Sequence, residues 1–276
     1  MKESKLVQTK ATESVEQNSK KDFIIRMVCL VFCGGMLIVH LILITLMSIY
    51  NKFATNDTTT LAGSSLPTLL LGFFLWTLPF FIHFFCRKYI GIYVLIPYIA
   101  FLFLSQFMGS ILDVYDIRFI PSIPTSNWWD KVMHTTFGYL AALIGLFLLC
   151  HITRIKKLNA TTIILFCIGF SALTAVVWEI CEFTTDQLLG QSCQGDWIIN
   201  GQFVSGPHKD EIAHKFISVN DTMGDMIVHM IGTLVFTVQY ILHATTKKSF
   251  FLTGMKEEFS KNCFVKDKVD TTSTTK

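Results

Sequence analysis

Charge is what this sequence has least of. Only 16% of its 276 residues are Asp, Glu, Lys or Arg, where a soluble domain carries about a quarter. The 20 acidic residues are outnumbered by 25 phenylalanines, which excludes an ordinary soluble enzyme. Net charge is scarce too: at +3, with no basic stripe and no RNA-type motif, the chain is not built for nucleic acid. Apolar mass is not lacking, since 51% of residues are hydrophobic and mean hydropathy is +0.50. That excludes a disordered chain and leaves an integral membrane protein.

A helix needs about 20 apolar residues to cross the hydrocarbon core. Six such runs are present, at roughly 27–49, 67–86, 89–110, 130–152, 160–186 and 221–244. The expected fold is therefore all-α: a polytopic six-transmembrane-helix bundle occupying 23–246. It is flanked by a polar N-terminal segment, 1–22, and a polar tail, 247–276. No small-residue cleavage site follows the first run, so it reads as a retained anchor. Lys and Arg set the orientation. With both termini cytoplasmic, only Lys52, Arg118, Lys131, Lys209 and Lys215 fall outside, and the other 18 lie inside. The expected location is a bacterial cytoplasmic membrane.

Eight cysteines add little. Most lie in spans or on the reducing side, and Cys29 with Cys33 are too few thiols to close a metal site. A Cys181–Cys193 bridge is conceivable, with two unpaired thiols the favoured reading.

Ionisable groups inside spans are costly and mark sites. Span 4 opens with Asp130, Lys131, His134 and Gly138. Span 5 ends with Glu179, Glu182 and Asp186. Span 6 opens with Asp221, Asp225, His229 and Gly232. The Lys/Arg orientation places all three groups at the outer end. Residues four apart share a helix face about 40° wide, so each span carries one polar stripe, and three stripes at one depth should face each other. Glycines below them would let the helices approach closely. Five carboxylates in a partly dehydrated pocket must take up protons or bind a cation. Carboxylates with imidazole suit Zn²⁺, Mn²⁺, Fe²⁺ or Mg²⁺, although no HExxH pattern is present. Against this stands a plainer reading. Asp130 and Asp221 are equally well explained as caps of spans 4 and 6. A single His134 or His229 is more often a hydrogen-bonded core histidine, and Asp186 a solvated loop residue. Glu179, Glu182 and Asp225 escape that explanation.

Three motifs carry a resemblance: Asp130-x-x-x-His134-x-x-x-Gly138, Glu179-x-x-Glu182, and Asp221-x-x-x-Asp225 followed by Gly232. In this order the chain resembles the YjdF-like family of bacterial inner-membrane proteins over about residues 70–245, and more distantly the VanZ-like family. Gly224 stands where that pattern has an aromatic residue, and His229 lies outside it. The resemblance implies a membrane topology and no reaction.

The expected function is a metal-dependent hydrolase or transferase acting on lipid or lipid-linked envelope intermediates. A divalent metal would be held by Asp130, His134, Asp221 and Asp225. Glu179 and Glu182 would be catalytic, with His229, Asp186 and Lys131 in supporting positions. Membrane lipids are the expected surroundings, and Trp197, Phe203, His208 and His214 in the 187–220 loop would form a lid. Two alternatives remain: a transporter or proton-coupled relay, and a non-catalytic protein whose acidic cluster is structural. Against transport, the acids crowd one end rather than the midplane, and no internal repeat is evident.

Overall fold

The computed structural model describes residues 2–53, 66–84, 90–112, 128–152, 158–189, 193, 197–199, 202–204 and 212–246. Six α-helices account for nearly all of them: α1 (Lys2–Phe53), α2 (Leu66–Phe84), α3 (Ile92–Leu102), α4 (Trp128–Ile152), α5 (Ala160–Leu189) and α6 (Ile212–Thr246). A two-stranded antiparallel ribbon pairs Trp197–Ile199 with Gln202–Val204. The tail 247–276, Arg118, Lys209, His208 and the side chains of Asp186, Trp197, Phe203, His214 and Lys215 lie outside the described residues.

Among the described residues, five helical stretches are long and apolar enough to cross a membrane: Lys20–Ile49, Ile92–Ile111, Trp128–Cys150, Ala160–Thr185 and Asp221–Thr246. Six were expected. The run at 67–86 forms α2, but its described apolar stretch, Thr68–Phe84, is shorter than the rest and rises only about 25 Å at 1.5 Å per residue. The polar segment 1–22 is helical from Lys2, as the first part of α1. Apolar side chains lie exposed on these helices, such as Val31 at 71% and Leu165 at 64%. Such surfaces are stable against lipid rather than water.

The chain forms two compact units, Met1–Asp113 and Val114–Lys276. In the first, Cys33, Met36, Trp76 and Leu102 form a buried cluster lined by Phe80, Tyr98 and Phe103. After α3 the helix widens into a π-helical segment, Phe103–Ile111. There the Leu112 N–H donates to the Phe107 carbonyl five residues back at 2.9 Å, the spacing that defines a π turn.

The second unit consists of α4, α5, α6 and the ribbon. Contacts climb together along α4 and α6: Lys131 meets Asp221 and Asp225, and Tyr139 meets Gln239. These two helices therefore run parallel. α5 runs against them, with Ser171 beside Gly138 and Glu179 beside His134. Asn159 starts α5 by accepting the Thr162 N–H at 2.7 Å, the usual service of an N-cap. Two glycines set the α4–α6 spacing. A Cβ on Gly138 would collide with the His229 carbonyl, and one on Gly232 with the Thr135 carbonyl, so both helices approach backbone to backbone.

Candidate metal centre

The N-terminal end of α4 and the first half of α6 meet the C-terminal part of α5, and the three polar stripes converge there. Asp130, Lys131 and His134 come from α4, Glu179 and Glu182 from α5, and Asp221 and Asp225 from α6. Asp225 is 1% exposed and Glu179 6%, depths at which a carboxylate needs a partner.

Lys131 supplies much of that partnership. Its Nζ lies 2.6 Å from Asp225 Oδ1, 2.7 Å from Asp221 Oδ1 and 3.1 Å from Asp130 Oδ2. One ammonium thus answers three aspartates from two helices. Capping does not account for Asp221, because α6 begins at Ile212 and leaves Asp221 well inside the helix. Asp130 sits in the first turn of α4, where a carboxylate also favours the positive helix end.

His134 lies beneath the ammonium and is buried. Its Nε2 faces Asp130 Oδ1 at 3.6 Å and Asp225 Oδ1 at 3.8 Å, and its Nδ1 faces Glu179 Oε1 at 3.9 Å. All three separations exceed hydrogen-bonding distance. Glu179 Oε2 is buried without a hydrogen-bond partner, although the side chain also bonds Thr222. Glu182 accepts the Trp178 indole N–H at 2.6 Å. Two sets of groups stand close enough to hold a metal ion: Asp130, His134 and Asp225, and His134, Glu179 and Glu182. Within each set the ligand atoms lie within 4.8 Å of one another.

A tier with no carboxylates lies below. His229 is 0% exposed, and its Nε2 is 3.0 Å from the Ser171 carbonyl and 2.9 Å from Ser171 Oγ. A carbonyl only accepts, so Nε2 carries the proton and Nδ1 is the bare nitrogen. Ser171 Oγ also contacts Thr233 Oγ1 at 2.7 Å and the Gly138 carbonyl at 3.1 Å. Neither metal group includes His229.

Sequence reasoning missed Ser171, Thr233 and Trp178, and gave Lys131 only a supporting place. A signal existed in the spacing. Ser171 stands eleven residues before Glu182, three helical turns within about 20°, and Thr233 continues the Asp225–His229 stripe. Neither Cys181 nor Cys193 forms a disulfide.

A model of predicted membrane proteins, DUF2238, matches residues 36–246. The chain belongs to that family. No curated protein and no solved structure matches it. The matched region takes in every residue of the site, so the cluster lies within what the family shares in extent. The family's description names a membrane protein and no reaction.

Proposed function

We propose that this protein is a metal-dependent membrane enzyme whose divalent ion is bound by His134 Nδ1, Glu179 and Glu182. The observation that carries this reading is the setting of His134. Its nitrogens face carboxylate oxygens at 3.6–3.9 Å, too far for hydrogen bonds. Ligand atoms around a tetrahedral zinc bound at 2.0–2.1 Å lie about 3.3 Å apart, so a small inward movement would complete the shell. The unpartnered, buried Glu179 Oε2 is the kind of lone pair that a cation satisfies. On this reading Asp130 and Asp225 stand behind the histidine, where a metal-bound imidazole directs its second N–H. The Trp178 indole would hold Glu182 in the same way. The glutamates thus bind the ion, and the aspartates orient the histidine and balance Lys131.

Three protein ligands with an open position suit catalysis more than structure. The ion would activate water or polarise a phosphoryl or ester oxygen. A site at the end of a helix bundle, walled by lipid-exposed apolar surface, fits a lipid or lipid-linked envelope substrate. The Lys/Arg bias supports an outward-facing site in a bacterial plasma membrane, in keeping with the YjdF-like resemblance. Reporter fusions after Lys156 and after Lys209 should then read opposite sides of the membrane.

One observation favours a second reading, a structural acidic cluster. Lys131 already compensates three aspartates without any metal. Metal analysis separates the two. Protein purified in mild detergent and supplied with zinc or manganese should retain about one ion per chain, and Glu179→Gln or Glu182→Gln should lose it. A wild type that retains no ion, with Glu182→Gln unchanged in cells, would leave only the structural reading.

A further inference from the structure

The site offers an ion two positions, and one side chain stands in only one of them. His134 presents Nδ1 to Glu179, with Glu182 in the same ligand group, and Nε2 to Asp130 and Asp225. A neutral imidazole has a single lone pair, so it ligates through one nitrogen at a time. Which face is used therefore depends on what else occupies each set of carboxylates.

On the Nε2 face the carboxylates are already engaged. Lys131 Nζ touches the same Asp225 oxygen, Oδ1, that faces His134 Nε2, at 2.6 Å against 3.8 Å. It also holds Asp130 at 3.1 Å and Asp221 at 2.7 Å. On the Nδ1 face no described cation lies within salt-bridge distance of Glu179 or Glu182. A metal on the Nε2 face would need the oxygen that the ammonium holds and would sit beside its positive charge. The His134 side chain is 8% exposed, and its Nε2 points into this carboxylate set with no hydrogen bond of its own. The geometry is thus that of a ligand set with its cation place taken.

We infer that Lys131 is a tethered cation that closes a second metal position, formed by Asp130, Asp225 and His134 Nε2, and so directs the ion to the Nδ1 face. The position is closed rather than destroyed. The Lys131 side chain is 29% exposed while Asp225 is 1% exposed, so the ammonium plugs the site from its open edge. Gly224 presents no side chain against it, and a Cβ there would lie 3.9 Å from both Cε and Nζ.

This inference builds on the proposed metal site, but its test reads out separately. Zinc per chain is measured by elemental analysis on full-length protein in detergent, for wild type, Lys131→Met, Glu182→Gln, Lys131→Met/Glu182→Gln, and that double variant with Asp225→Asn added. Glu182→Gln should bind zinc at least about tenfold more weakly than wild type. The double variant should regain binding, and adding Asp225→Asn should abolish it again. A double variant as empty as Glu182→Gln, while wild type and Lys131→Met stay loaded, overturns the plug and leaves the proposed function intact. An empty wild type beside a loaded, Asp225-dependent double variant does the reverse. Full zinc in Glu182→Gln overturns both. Lys131→Gln serves as a second neutral variant, and if neither neutral variant folds, Lys131 is a structural ion-pair partner and the plug is wrong.

Discussion

The two compact units bury different kinds of polar group. In Met1–Asp113 the core is large and apolar, with Trp76 and Leu102 packed among phenylalanines. Its buried polar residues, His40, Ser105 and Gln106, carry no negative charge. His40 satisfies itself locally, giving its Nδ1–H to the Met36 carbonyl one turn back at 2.9 Å. In Val114–Lys276 α4 and α6 meet through glycines, and charged and hydroxyl groups bond across helices as well as along them. Bulky packing tolerates small errors of position because long apolar side chains adjust. A cluster of carboxylates, lysine and histidine does not, because its interactions depend on tenths of an ångström. Close backbone approach is what fixes such distances, and it is found in the unit that holds the charges.

The sharpest way to break that difference is at the helix crossing. Gly138→Ala and Gly232→Ala each place a Cβ onto a backbone carbonyl of the facing helix, and neither backbone can yield without parting α4 from α6. The expected loss exceeds the ~1–3 kcal/mol of ordinary overpacking and should abolish a monodisperse, thermally cooperative protein. Gly35 and Gly169 have nothing within 4 Å of the same added atom. Alanine there should leave the melting temperature unchanged or slightly higher, since alanine favours helix. If Gly138→Ala melts like wild type, the crossing is looser than described and the site cannot depend on it.

Next in size are the charges themselves. Glu179→Gln and Glu182→Gln should remove bound metal, whereas Asp225→Asn should weaken it by about 10–100-fold, the usual cost of losing a partner behind a ligand. Asp221→Asn should do less, because Asp221 contacts Lys131 and belongs to neither metal-holding group. Equal effects of Asp221→Asn and Glu182→Gln on metal content would erase the distinction between the two carboxylate sets.

How far the sequence foretold this can be judged residue by residue. The helices of the second unit were legible, because runs of apolar residues longer than 20 admit few alternatives in a membrane. Convergence of Asp130, His134, Glu179, Asp221 and Asp225 was legible as well, since i, i+4 spacing fixes a face and lipid penalises any other facing. The start of α6 was not. Asp221 looked like a cap because hydropathy falls there, but helical hydrogen bonding continues back to Ile212 regardless of polarity. The place of Lys131 was also hidden. A sequence shows that a lysine adjoins an aspartate, but not that its flexible stem spans to α6 and finds two more. Five of the six expected spans have long apolar helices among the described residues, and the second has α2, whose described apolar stretch is Thr68–Phe84.

A smaller effect is expected one tier below the charges. Ser171→Ala removes contacts to His229, Thr233 and Gly138 together. Hydrogen bonds between membrane helices are worth about 0.6 kcal/mol on average and up to ~1.7. The variant should therefore lose stability in that range while keeping its metal. His229→Gln should behave likewise, because no metal-holding group includes His229. Loss of metal without loss of stability in either variant would move the ion downward, toward the bare Nδ1.

The last effect belongs to the first unit and leaves the site untouched. Tyr98 on α3 donates its hydroxyl to the Leu75 carbonyl of α2 at 2.8 Å, a contact of the same kind as those around Ser171. It joins two helices, and it supplies the donor that the Leu75 carbonyl lacks in α2, because the residue four places on is Pro79, which has no N–H. The ring remains packed against Trp76 and Leu102, so Tyr98→Phe forfeits one hydrogen bond and no packing. The expected cost is up to ~1.7 kcal/mol, read as a fall in thermal midpoint, with metal content identical to wild type. If Tyr98→Phe instead lowers metal content, the polar groups of the first unit are tied to the site in the second. The division between a packing unit and a chemical one would then have to be abandoned.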